Sequence, residues 1–338
     1  MNRRCRAAVT AGATALAMSL VGAPAHAQLR VATPQEAALD AAAFERVDQV
    51  LAETLTDVQS VVVAVGGRIA YSYHRDGAPE RLRDQQSAEK SALSALVGIA
   101  IAQGHIAGLD QPVLALVPEW AARNADPRLA AMTLRHLLTL TAGFAVDDLR
   151  GPPRRMTAAD AWARPLAHTP GERFAYDNAA VTLLVAVLER ATGMPLADFA
   201  RRQLLKPLAM AEPEYAGTLR LRTIDMAKLG ELFLRKGRWD GQQLVPADYV
   251  AAATQAQAGG GPPVGMPYGL MWWIVPPAGA GNFMASGWGG QMVWVHPGLD
   301  VVVAANSSVT PASQQRGHAV RLLHSGLLAA VHARGGRN

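Results

Sequence analysis

Strand-forming segments stand near both ends of this 338-residue chain, and the stretch between them reads as helix. Val61-Val62-Val63-Ala64-Val65 is an almost unbroken β-branched run. Gly66-Gly67 follows, and Arg68-Ile69-Ala70-Tyr71-Ser72-Tyr73 resumes an extended pattern. Two strands joined by Gly-Gly predict a hairpin. Towards the C-terminus, Tyr268–Val275, Asn282–Ser286, Gln291–His296 and Leu299–Ala305 are short, β-rich and separated by Gly or Pro. Between these groups, Ser91–Ala102 is almost wholly apolar, as a buried helix requires, and Gly104 is a suitable stop. Met132–Leu138 begins a further helix that ends near Gly143. Helices are also predicted over Ala179–Thr192, Pro195–Leu205 and Ile224–Lys236, with outer ones over Leu39–Leu55 and Gly317–His332. Residues 145–171, rich in Pro, Arg and Asp, predict a long irregular connection. This order predicts an α/β (α+β) fold. Its antiparallel sheet is built from both chain ends and flanked by helices, with an all-helical domain inserted. The implied division is a discontinuous α/β domain of residues 28–84 and 246–338, a helical domain of residues 85–245, and an active site at their interface.

The first 27 residues read as an export signal. Arg3, Arg4 and Arg6 make a positive start, an apolar stretch runs from Ala7 to about Val21, and Ala25-His26-Ala27 is a small-x-small cleavage site that leaves Gln28 first. The apolar stretch is shorter than the ~20 residues a spanning helix needs, so no stable membrane anchor is expected. The mature chain is expected in the periplasm or outside the cell. Cys5 is the only cysteine and departs with the signal, so neither a disulfide nor cysteine chemistry remains. Stability must come from the apolar core that about 310 residues can build. The net charge of +5 is partly the signal's, since removing its three arginines leaves 29 basic residues against 27 acidic ones. No basic run or stripe suggests a nucleic-acid partner, and the scattered histidines lack metal-ligand spacing.

Three short motifs carry chemistry. Ser87-Ala88-Glu89-Lys90 sets a hydroxyl and an amine three residues apart at the start of the apolar helix, on one helical face. The chain has only four lysines, Lys90, Lys206, Lys228 and Lys236. An amine in partly apolar surroundings gives up its proton more readily than in water, and can then activate the serine as a nucleophile. Tyr176-Asp177-Asn178 adds a phenol and an amide able to relay protons and bind polar groups. Ala285-Ser286-Gly287-Trp288-Gly289-Gly290-Gln291 lies between two predicted strands, where glycines let a backbone approach a ligand closely. Glu89 is read as structural, and His136 as a packed core histidine. No Gly-x-Ser-x-Gly elbow supports a Ser-His-Asp triad.

In this order and spacing the motifs resemble the serine β-lactamase and penicillin-binding-protein superfamily. The likeness is closest to the class C-type branch, which includes esterases, D-aminopeptidases and 6-aminohexanoate-dimer hydrolases. The stretches KSALSALVGIAIAQGHI (90–106), LRHLLTLTAG (134–143), PGERFAYDN (170–178), DMAKLGELFLRKGRWDG (225–241) and YGLMWWI (268–274) are similar too. The resemblance implies that Ser87 is the acylated nucleophile, Lys90 the amine that helps deprotonate it, and Tyr176 the group that protonates the leaving group. It implies that Asn178 holds Lys90 or the substrate amide, that Ser286 and Gly287 line the substrate strand, and that the N–H groups of Ser87 and Trp288 form the oxyanion hole. No cofactor or metal is implied. Where relatives that bind a substrate carboxylate carry Lys or His, this chain has Ala285. A neutral small-molecule ester or amide is therefore expected, unless Arg150, Arg154, Arg155 or Arg173 restores the charge. A β-lactamase or D,D-carboxypeptidase, and a non-catalytic ligand- or cell-wall-binding protein on the same fold, are the alternatives.

Overall fold

The computed structural model describes residues 29–33, 36–37, 39–146, 156–216, 218–277 and 281–310, together with parts of a helix from Gly317. The residues of the expected export signal, Asp147, Asp148, Arg150, Arg154 and Arg155 of the expected 145–171 connection, and much of the last helix lie outside the described residues.

The Gly-Gly hairpin forms as read, between Val58–Val65 and Arg68–His74. It belongs to a nine-stranded sheet. In chain order its strands are β1 (Arg30–Val31), β2 (Val58–Val65), β3 (Arg68–His74), β4 (Ala258–Gly261), β5 (Met266–Tyr268), β6 (Trp273–Ile274), β7 (Phe283–Gly287), β8 (Gln291–His296) and β9 (Val301–Ser307). Their spatial order is β1-β3-β2-β9-β8-β7-β6-β5-β4. The sheet thus joins the two chain ends through the β2–β9 ladder, from Val65 opposite Val301 to Val58 opposite Ser307. All pairings are antiparallel except β1 with β3.

The apolar runs of β2, β8 and β9 are continuous rather than alternating because both faces of the central sheet are covered. On one face α1 (Ala41–Glu53) stacks Phe44 on Tyr71 of β3, ring centroids 4.7 Å apart. On the other lies α4 (Thr223–Leu234), and here Gly230 matters. A Cβ there would fall 2.6 Å from Val302 Cγ1 and 2.8 Å from Val293 Cγ1. This helix therefore rests directly on the sheet, although its sequence position falls within 85–245. Two longer helices, α2 (Glu89–Ala102) and α3 (Asn178–Thr192), complete the helical side. Nearly all of α2 is buried, as its composition requires, and the Gly104 stop is in the left-handed region at φ 75°.

Several elements are shorter than their sequence suggests. The helix expected from Met132 covers only Leu134–Leu138. Thr139 Oγ1 turns back to the Arg135 carbonyl and Leu140 takes a φ of 54°, which ends it. The expected strand Tyr268–Val275 is broken by a turn in which Gly269 N–H donates to the Trp272 carbonyl and Met271 has a φ of 61°. The helix from Pro195 passes into a π-turn at Arg201–Leu205. No single helix among the described residues is long and apolar enough to cross a membrane.

Candidate active site

Ser87 sits in a single 3-10 turn, Gln86–Ala88, immediately before α2. The turn is set by its neighbours. Asp84 accepts from the backbone N–H of Gln86 at 2.8 Å, from the Gln86 side-chain amide at 2.8 Å and from Thr218 Oγ1 at 2.7 Å. This holds Gln86 at a φ of 48°, a left-handed conformation that costs a non-glycine residue about 1–3 kcal/mol. Strain of that kind persists only where surrounding bonds over-determine it.

One helical turn on, Lys90 Nζ lies 2.8 Å from Ser87 Oγ. The lysine is 6% exposed and forms no ion pair among the described residues. Its Nζ sits over the face of the Tyr176 ring, 5.2 Å from the centroid. The Tyr176 ring stacks in turn on Trp273 of β6, 6.2 Å away and within 10° of parallel. Phe174 and Tyr268 close the same aromatic cluster edge-on. Burial pushes the Tyr268 phenol well above its ordinary range, with Tyr176 adding to the shift.

Tyr176 is pinned on both sides. Ala175 N–H donates to the Leu140 carbonyl at 2.9 Å. Asp177 caps α3 by accepting from Ala179 N–H at 2.9 Å, and also takes a buried ion pair from Arg164 at 2.6 Å. The Arg164 guanidinium lies over Phe144, 4.8 Å from the ring centroid. Asn178 is the first residue of α3 and is exposed. It makes no hydrogen bond to Lys90 among the described residues, so the expected hold on that amine is absent.

The third motif approaches Ser87 from the sheet. Gly287, at the end of β7, packs on the residues just before the serine. A Cβ there would lie 2.5 Å from the Gln85 carbonyl and 2.9 Å from Gln86 Cβ. The two segments therefore touch one step before Ser87 and one step before Trp288. Neither of those N–H groups donates to a backbone carbonyl among the described residues. Pairing of β7 with β6 stops at Met284, leaving the outer edge of Ala285–Gly287 unpaired among the described residues. Ala285 lies opposite Val293 and shares the face covered by α4; Ser286 lies opposite Met292, on the other side of the pleat. Trp288 is exposed at the rim, and Arg173 is exposed with no ion pair among the described residues.

Glu89 proves structural. Its carboxylate accepts from Leu219 N–H at 3.0 Å, tying the strand Leu219–Leu221 to α2. Burial raises it above the usual carboxylate range, against the pull of Leu219 and Lys90. His136 accepts from Thr133 N–H in a capping box. Sequence reasoning missed Asp84, Gln85, Arg164, Trp273 and Asn306. Only Gln291 of the buried polar groups beneath the site stood inside a recognised motif.

A serine and a buried lysine in contact at a helix start, near a tyrosine ring and the open edge of a glycine-bearing strand, form a candidate serine-hydrolase site. Residues 47–220 match the Beta-lactamase family, and the chain belongs to it. It is 32% identical over 225 residues to esterase EstB of Burkholderia gladioli, a match covering 54% of this chain and 56% of EstB. Among solved structures it is similar to EstCE1, a hydrolase with promiscuous acyltransferase activity, at 19% identity and a TM-score of 0.68 over 86% of this chain and 98% of that one. It is equally similar to a penicillin-binding-protein homologue from Caulobacter crescentus, at 18% identity and a TM-score of 0.68 over 86% and 97%. The structural likenesses support the fold.

Proposed function

We propose that this protein is an exported serine hydrolase that cleaves a neutral small-molecule ester or amide through an acyl-serine intermediate. The observation that carries the reading is the 2.8 Å contact of Lys90 Nζ with Ser87 Oγ beneath the Tyr176 ring. Lys90 takes the hydroxyl proton as Ser87 Oγ forms a bond to the carbonyl carbon. The carbonyl π electrons move to oxygen, and the N–H groups of Ser87 and Trp288 receive that negative charge. Such donors are typically worth ~3–4 kcal/mol each. Collapse of the intermediate expels the alkoxide or amine, which takes a proton through Tyr176. Water then attacks the acyl-enzyme by the reverse relay and regenerates Ser87.

The esterase EstB relationship supports the ester preference. So does Ala285, 1% exposed, where a cation would be needed for a carboxylate. A charge-assisted hydrogen bond is about twice as strong as a neutral one, and this site supplies none at that position. The test is turnover of a short-chain p-nitrophenyl ester and of a chromogenic cephalosporin by the wild type and by Ser87→Ala. The expected result is ester turnover far above cephalosporin turnover, abolished in the variant. Undiminished ester turnover by Ser87→Ala rejects the nucleophile; cephalosporin as the better substrate moves the reading to a β-lactamase.

A further inference from the structure

Beneath the Ser87 turn, Gln85, Gln291, Asn306, Thr223 and Ser60 are buried together, none more than 2% exposed. Uncharged polar groups at that depth cost stability unless they satisfy one another. Here they do, and the pattern converges on one primary amide. Asn306 lies in β9, on the face covered by α4. Its Nδ2 has three acceptors within reach: Gln85 Oε1 at 3.1 Å, Gln291 Oε1 at 3.0 Å and the Asp84 carbonyl at 3.2 Å. Its Oδ1 accepts from Thr223 Oγ1 at 2.8 Å, and the Asp84 carbonyl, which can only accept, sets the amide's Nδ2 end towards the two glutamines.

Each acceptor leads to one half of the oxyanion hole. Gln85 precedes Ser87 by two residues, and its own Nε2 donates to the Arg83 carbonyl at 2.7 Å and the Leu221 carbonyl at 3.0 Å. Gln291 closes the Trp288 turn, donating to the Trp288 carbonyl at 3.3 Å and the Ser307 carbonyl at 2.7 Å. The two segments also touch directly at Gly287 and Gln85. A packing role alone would be met by an apolar side chain. A forked donor between the two supporting glutamines does more, because it sets one segment relative to the other.

We propose that Asn306 is a positioning residue that holds the Ser87 and Trp288 amides at the spacing a tetrahedral oxyanion needs. This rests on the reading of Ser87 as nucleophile. Asn306 touches no substrate, and it acts through Gln85 and Gln291. Its loss therefore weakens binding of the transition state more than that of the neutral ground state.

The test compares wild type, Asn306→Asp, which keeps the shape but reverses the donor, and Asn306→Ala. Gln291→Leu interrupts the same path from the Trp288 side and gives the answer if both Asn306 variants fail to fold. Active sites are counted by fluorophosphonate titration, so misfolded protein drops out of the comparison. The expected result, per titrated site, is a kcat about 10²-fold lower, a KM for the p-nitrophenyl ester changed less than about threefold, and a phenylboronic acid Ki weakened by a factor similar to that in kcat. Unchanged kcat and boronate Ki per titrated site, with only the melting temperature lowered, would overturn the proposal. Failure of the nucleophile reading shows separately, as a wild-type protein that fluorophosphonate does not label.

Discussion

Gly287 has no side chain because there is no room for one. A methyl group would meet the Gln85 carbonyl at 2.5 Å and Gln86 and Gln291 Cβ atoms at 2.9 Å, with backbone rather than a flexible tip in the way. Gly287→Ala must therefore push β7 away from the Ser87 turn. A displacement of about 1 Å at a reacting centre is worth about 10²-fold in rate. We expect kcat/KM for the p-nitrophenyl ester to fall by about that factor with the far-UV circular dichroism retained; near-wild-type turnover would contradict the close approach. At this scale the sequence singled out Ser87, Lys90 and Tyr176 as candidates, because the serine–lysine spacing is local and helical and the tyrosine stood in a recognisable triplet, and the structure brings the three side chains together. It could not reveal Asp84, Gln85 or Asn306. Their roles depend on partners far along the chain, such as Thr218 for Asp84 and Gln85 for Asn306.

Among the elements, α4 carries an ionisable group that its apolar setting does not suit. Glu231 is 1% exposed; its Oε1 has no hydrogen-bond partner among the described residues, and its Oε2 is 3.3 Å from Arg235 Nε. Arg235 is shared with Asp300 at 2.7 Å. Burial pushes the Glu231 carboxyl up to about 7, against the pull of Arg235. A raised acid binds its proton more tightly when folded, so its contribution is present below the unfolded value of 4.5 and is lost as pH rises towards 7. The loss is on the order of 3 kcal/mol. Glu231→Gln removes this titration, so the urea-midpoint difference between variant and wild type should grow in the variant's favour from pH 4.5 to pH 7.5. A constant difference across that range would show that Glu231 does not titrate there. Helix positions were legible from apolar periodicity, whereas helix ends were not. Leu134–Leu138 stops early through a threonine back-bond and a left-handed leucine, features that apolar periodicity does not carry.

For the molecule as a whole, the strand–helix–strand order identified a sheet made from both termini, whereas the covering of its centre on both faces emerges only from the packing of α1 and α4. The outer strands β4, β5 and β1 were not read, because each has at most four residues and little or no apolar alternation. The site lies where these parts meet, with Ser87 and Lys90 at the head of α2, Tyr176 before α3 and Gly287 at the end of β7. The proposed export rests on residues 1–27 alone and is tested apart from the fold. Expression in a Gram-negative host should yield a periplasmic protein whose first residue by mass spectrometry is Gln28; cytoplasmic protein retaining residues 1–27 would contradict export.

The central claim is that Ser87 Oγ, served by Lys90, becomes covalently acylated. Acid quenching during steady-state turnover of a slowly hydrolysed p-nitrophenyl ester, followed by peptide mapping, tests it directly. The account predicts one acyl group per chain, on the peptide containing Ser87 and on that residue, with none in Lys90→Met. Acylation elsewhere, or ester hydrolysis with no trapped adduct and undiminished turnover in Lys90→Met, would contradict it.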